Sequence, residues 1–427
     1  MFRTQCPTVQ NGRTNNLRRS SKRSAVVVGA ALLSPFVAVS ALAQTATLDK
    51  SISVTGQGST FVSNFVEQCK ADVKNAFGIS VSYQPTGSGA GRAAYIAGTN
   101  DFGGSDVAFT AAELPKAKEK PFVYLPVAIG GIAVMYKVPG VTDIKMSGPT
   151  IARIFAGSIQ KWNDDAIAKE NSGVALPDQV IRVIVRSDSS GTSNVFSDYL
   201  STVGKGGWKA GATSNFPPPA GNGIAQRGSD GVSNYVAGSQ GEYSITYAET
   251  SFAEERKLSV VKVINASGNA VAPEPANITD AMSEAAVNDD GTLFLNFNAA
   301  GAKAYPISTT AYLIAPLTMD KAKGDVLRAF LTYSVGECQK KADKIGYAPL
   351  PAALVKLSLD AIAKINPGSA PVPVVGGAAS TAATTPAAGA TTAPPTTAAA
   401  NASPATTKKA KTSKKAKKPA AKTTKKK

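Results

Sequence analysis

"ISVSYQPTGSGAGRAAYIAGTNDFGGSD" runs from Ile79 to Asp106. Its first residues, Ile79 to Tyr83, read as a strand, and "GAGRAAYIAG" from Gly89 opens a helix. The turn between them is built of Thr, Gly and Ser. From Tyr83 to Asp106 there are six glycines, two aspartates and one basic side chain, Arg92. Glycine crowding straight after a strand marks a place where the backbone approaches something closely.

The same strand, turn and helix design occurs twice more, in "SVTGQGSTF" (Ser53–Phe61) and "IVRSDSSGTSNVF" (Ile184–Phe196). The first N–H groups of a helix have no partner inside it, and the macrodipole makes that end partly positive. Hydroxyl residues there add O–H donors, so each turn is a ready anion site. One such turn is usually a plain helix cap. Three of them, each with glycine beside the hydroxyl, point to one shared oxyanion. Arg186 ends a buried strand just before "SDSSGTS", where its fork can take an oxyanion through two parallel hydrogen bonds. Asp188, two residues on, is placed to orient it; the bland alternative is a surface ion pair, worth little.

Competing motifs fail on spacing. "GSGAGR" (Gly87–Arg92) ends in Arg where a dinucleotide fingerprint wants Gly or Ala. No Walker P-loop pattern occurs. Asp101 and Asp106 lie five residues apart in a glycine-rich turn and do not read as paired catalytic carboxylates. The chain has no histidine, which removes Ser-His-Asp and Cys-His catalysis and most zinc sites. The expectation is a non-enzyme, with no metal and no cofactor.

Outward from these turns, strand-like and helix-like segments alternate from Ile52 to about Pro367, which argues an α/β fold. "YLPVAIGGIAVMYKV" reads as a long buried strand or a pair, "VIRVIVR" (Val180–Arg186) as a buried strand, and Thr60 to Phe77 as a helix. The net charge of +17 sits at the ends. Residues 1–43 hold six Arg or Lys, residues 408–427 hold eleven Lys, and neither segment has an acid, so residues 44–407 are balanced. A basic patch for nucleic acid is therefore not expected in the folded part.

Residues 1–43 read as a secretory signal, with a basic "RRSSKR", an apolar run from Ala25 to Leu42, and "ALA" for cleavage before Gln44. A transmembrane helix is the minority alternative, and Arg18-Arg19 leaves twin-arginine export open beside the general route. No cysteine stands at the cleavage point, so no lipid anchor is evident there. The mature chain keeps Cys69 and Cys338, read either as a disulfide in an oxidising compartment or as two buried thiols. Residues 368–407, almost all Ala, Thr, Pro, Gly, Val and Ser, read as a linker, and residues 408–427 as a disordered lysine tail.

At "GQGSTF", "YQPTGSGAG", "DFGGSDVAFT", "PVAIGGIAVMYKVPGV", "IFAGSIQKWNDDAIA", "VRSDSSGTSNVF" and "AYPISTTAYLI" the chain closely resembles the periplasmic phosphate-binding proteins of high-affinity phosphate ABC transporters. The resemblance covers about residues 50–365. It implies a type II-like periplasmic-binding-protein fold with hinge strands: lobe I from residues 44–128 and 310–367, lobe II from 129–309. It also puts both ends of the folded region in one lobe, which favours the Cys69–Cys338 bridge. The implied function is an extracytoplasmic receptor that closes on inorganic phosphate and hands it to the permease and ATPase subunits of a transporter. Carried over by motif, Thr60, Phe61, Ser88, Ser190, Gly191 and Thr192 would donate to the anion, and Arg186 would pair with it, held by Asp188. Asp106 would accept a proton from phosphate, which sulfate lacks at neutral pH. Ser59, Gly87 and Gly89 would support the turns. Val62 stands where the family often has Pro, and Ser189 where Gly is common; neither removes a donor. Three alternatives remain open at this level: another protonated oxyanion such as arsenate, a phosphoesterase, and a surface polyanion binder acting through the lysine tail.

Overall fold

The computed structural model describes residues 45–375; the signal segment, most of the linker and the lysine tail lie outside the described residues. The first elements follow the alternation of the sequence: β1 (Ser53–Gly58), α1 (Ser63–Phe77), β2 (Ser80–Pro85), α2 (Ser88–Ala97) and β3 (Phe102–Ser105). Helix α1 starts three residues later than its apolar spacing predicts. Thr60, Phe61 and Val62 form the turn that leaves β1, and no side chain caps the helix. Gly78 and Gly98 end α1 and α2 in the left-handed region, where a Cβ would be strained.

The apolar run becomes a single strand, β4 (Phe122–Lys137), buried along nearly its whole length. Both of its faces are covered, which is why it reads as continuous rather than alternating. Further on come β5 (Arg182–Arg186), α3 (Gly191–Val203), β6 (Gly223–Gln226), α4 (Gly228–Ala237), β7 (Ser244–Glu249), β8 (Ser308–Pro316), α5 (Lys321–Val335) and α6 (Ala352–Ile362).

One sheet carries all of these strands in the order β2-β1-β3-β8-β4-β7-β5-β6, with a short strand at Ser259–Val260 also paired to β4. Strand β4 serves two halves in turn. Phe122 to Gly131 pair with β8, and Ile132 to Lys137 pair with β7. The chain therefore builds two lobes on one shared, crossing strand, and β8 carries it back. On the outer side of each lobe the strands run parallel: β1 with β2 and β3, β5 with β6 and β7. In open α/β sheets the carboxyl ends of such strands are where ligands bind. Here the ends of β1, β3, β5 and β6 lead into Ser59, Asp106, Ser187 and Arg227.

Cys69 in α1 and Cys338 beyond α5 are joined as a disulfide with Cα atoms 5.7 Å apart. Both sulfurs lie inside the packed core. The first linker residues pack onto the lobe: Ala46 N–H donates to Pro371 O at 2.8 Å, Arg328 donates to Ala370 O at 3.1 Å, and Val372 is buried.

Candidate functional site

Ser59, Thr60, Ser88 and Asp106 come from the first lobe, Arg186, Ser190, Gly191 and Thr192 from the second, and all are buried. The lobes meet closely here. Thr192 Oγ1 donates to Asp106 Oδ2 at 2.8 Å across the junction, and Gly89 N–H donates to Ser189 O at 2.9 Å. The glycines of the opening stretch answer to this approach. A Cβ on Gly87 would strike the Asp188 carboxylate and one on Gly89 would strike Ser189 Oγ, both across the junction, while one on Gly91 would stand 2.6 Å from the Gly58 Cα inside the first lobe. On the facing side, a Cβ on Gly191 would lie 2.9 Å from Asp106 Cβ. Glycine is needed at these positions to let protein meet protein.

The hydrogen bonds around Asp106 have fixed directions. Phe61 N–H donates to Ser59 Oγ at 3.0 Å, and Ser59 Oγ in turn donates to Asp106 Oδ1. With Thr192 on the other oxygen, each carboxylate oxygen accepts one hydroxyl. A carboxylate offers about four acceptor positions, so acceptor capacity is left over. The Asp106 N–H donates to Ser88 Oγ at 3.3 Å, which leaves the Ser88 proton free to donate elsewhere. Burial pushes the Asp106 carboxyl above its ordinary value, outweighing the hydrogen bonds from Ser59 and Thr192 and the charges of Arg186 and Arg92.

Arg186 lies against Asp188 as a two-pronged pair: Nε donates to Oδ1 at 2.7 Å and Nη2 to Oδ2. Asp188 also accepts from Gly228 N–H at 2.9 Å. Burial raises the Asp188 carboxyl, but its bonds and charge contact with Arg186 and the Gly228 bond hold it below its ordinary value. Asp188 thus stays charged and fixes the guanidinium, while Nη1 reaches Ser229 Oγ at 3.4 Å. Ser190 Oγ accepts from Ser193 N–H at 3.1 Å and caps α3, so its hydroxyl proton also remains to donate.

Every residue expected at the site is at this junction, though the Phe61 amide is already committed to Ser59. Sequence reading missed Ser229. It lies in a fourth strand, turn and helix, "GIAQRGSDGVSNYVA", formed by β6 and α4, at the start of the helix. The signal was the Gly-Ser pair at the helix start. It was masked because β6 has only four residues, none of them fully buried. Arg92 was also left without a role. It is buried, bonds Glu113 at 2.8 Å and Ser105 Oγ at 3.2 Å, and lends positive charge behind Asp106.

Buried hydroxyls, one fixed arginine and one acceptor carboxylate at the junction of two lobes define an anion receptor of the binding-protein class. A family model described as a PBP superfamily domain matches residues 40–337. The phosphate-binding protein PstS of Xylella fastidiosa is 36% identical over 316 residues, 72% of this chain and 84% of its own. Phosphate-binding protein PstS 2 of Mycobacterium tuberculosis is 34% identical over 311 residues, 69% of this chain and 82% of its own. The chain belongs to the PstS family of binding proteins within that superfamily. Among solved structures, the fold is shared with a high affinity periplasmic phosphate-binding protein, PfluDING, bound with phosphate. That match has TM-score 0.59 and 24% identity over 71% of this chain and 92% of that one. The fold is also shared with a phosphate binding protein from Stenotrophomonas maltophilia at TM-score 0.58 and 19% identity, over 72% and 93% of the two chains.

Proposed function

We propose that the chain is an extracytoplasmic receptor that binds one inorganic phosphate between its lobes and delivers it to the permease and ATPase subunits of an ABC transporter. The observation that carries this reading is Asp106: a buried carboxylate with spare acceptor capacity, set across the lobe junction from the fixed cation Arg186. Thr60, Ser88 and Ser190 with their hydroxyls, and Gly191 and Thr192 with their backbone N–H groups, surround the anion as donors, and lobe closure about β4 and β8 encloses it. Facing sulfate, Asp106 is an unsatisfied buried acceptor beside a like charge. The site binds and releases its ligand without chemistry. Among the described residues, no group of acids and cysteines is placed to hold a metal, and no helix is long and apolar enough to cross a membrane.

The experiment is competition of sulfate against phosphate in wild type and Asp106→Asn. Asparagine replaces an acceptor with a group that can also donate. Sulfate is expected to compete measurably better in the variant. Equal rejection of sulfate by both proteins contradicts the proton-reading role.

The eleven lysines of residues 408–427 add a second element: an electrostatic tether to anionic envelope polymers, with the uncharged linker as spacer. Contacts through exposed lysines weaken with salt. Moderate salt, or deletion of the tail, is expected to release the protein from envelope preparations with phosphate binding intact. Retention of the truncated protein as firmly as the full chain rules the tether out.

A further inference from the structure

Ser229 stands at the start of α4, fully buried, and touches the other lobe. Its N–H donates to Thr60 Oγ1 at 3.2 Å, and its Oγ lies 2.8 Å from the same Thr60 oxygen. Its Oγ also receives Arg186 Nη1 at 3.4 Å. An arginine can only donate, so on that side Ser229 Oγ is an acceptor. The Ser229 and Thr60 hydroxyls can each donate to the other, because Ser229 Oγ has two lone pairs. When Ser229 donates, its N–H and O–H occupy both lone pairs of the Thr60 oxygen, and the single Thr60 proton is free for another acceptor. An anion held beside Arg186 is such an acceptor and favours that arrangement.

We propose that Ser229 is a specificity-setting and closure residue. Beside the anion it sets Thr60, a hydroxyl of either sense, as a donor, and it latches the second lobe onto the first. The chain of donation runs from Arg186 to Ser229 to Thr60 to the bound oxyanion. The guanidinium that pairs with the ligand thereby also orients a donor supplied by the opposite lobe. An orientation fixed as the lobes close leaves one group less to organise around the ligand. Because Thr60 and Ser229 part when the lobes open, the pair also resists ligand escape. This inference rests on the phosphate reading for its ligand but not for the contact between lobes.

The test is a double-mutant cycle on the mature full-length chain with inorganic phosphate as the probe. Ser229→Ala is expected to weaken binding about five- to tenfold, the scale of one net hydrogen bond, mostly through faster dissociation. Thr60→Val removes the donor itself. In the Thr60→Val background Ser229→Ala is expected to cost nothing further, since it acts through Thr60. Thermal melting of the ligand-free proteins is expected to differ little between wild type and Ser229→Ala. Unchanged phosphate affinity in Ser229→Ala overturns the proposal. So do losses that simply add in the double variant, or a lowered melting point with intact affinity, which marks a purely structural serine. If wild type itself fails to bind phosphate, the phosphate reading fails separately. The latch is then read by small-angle scattering of the ligand-free protein: a more open Ser229→Ala supports it, and identical profiles overturn it.

Discussion

In the proposed reading, Asp106 alone sets a preference between two anions of similar size. Its carboxyl is pushed above its ordinary value of 3.8 by burial, so it takes up a proton at higher pH than an exposed aspartate does. Above its pKa it only accepts, and sulfate is refused. As pH falls through that pKa it gains a proton and can donate, so refusal of sulfate is expected to weaken toward acid. Competition by sulfate, measured stepwise from neutral pH into the acid range, should therefore rise as Asp106 takes up its proton; a profile flat throughout contradicts the assignment. This residue was legible in the sequence, because "GGSD" follows a strand and lies beyond a glycine-rich turn. Arg186 and Asp188 were legible too, from their place between a buried strand and a helix start. The reason for the glycines was not. It depends on how close the second lobe comes, as with Gly87 against Asp188 and Gly89 against Ser189, and no local pattern reports a contact about a hundred residues away.

At the scale of elements, the long apolar run resolved into β4, and only its partners show where one lobe passes into the other. Hydrophobic runs tell that a strand is buried on both faces, not which strand pairs it. The crossing at Gly131 and Ile132 brings β4 beside Glu249, at the end of β7. Glu249 is fully buried; Ser251 donates to one of its oxygens through both its N–H and its hydroxyl, and the other oxygen makes no hydrogen bond among the described residues. Burial raises its carboxyl well above the ordinary 4.5, more than the Ser251 bonds lower it. A folded-state pKa above the unfolded one means that this group's contribution to stability is fully present below the unfolded pKa and is lost as pH rises toward the folded one. Glu249→Gln, which cannot ionise, is therefore expected to gain stability over wild type as pH goes from 5 to 8, by at most about 1.4 kcal/mol per pH unit. Denaturant melts at both pH values check this. A stability difference independent of pH shows that Glu249 is not protonated in the folded protein.

For the whole molecule, the alternation of strands and helices was enough to give an α/β fold, and the repeated turns pointed to most of the residues that meet at the lobe junction. What sequence could not supply was Ser229, because the strand before it is short and partly exposed and carries no apolar signature. In the proposed reading, two lobes built on β4 and β8 close their helix starts on one buried carboxylate and one held arginine, and selectivity depends on the ligand's proton. The measurement that tests this most directly is calorimetric titration of the mature chain at neutral pH with phosphate, sulfate and arsenate in turn. One phosphate per chain with heat on binding, and no binding of sulfate at the same concentrations, is the predicted result; arsenate, protonated like phosphate, shows how far the site separates the two. Sulfate binding as tightly as phosphate, or no heat with phosphate at all, contradicts it.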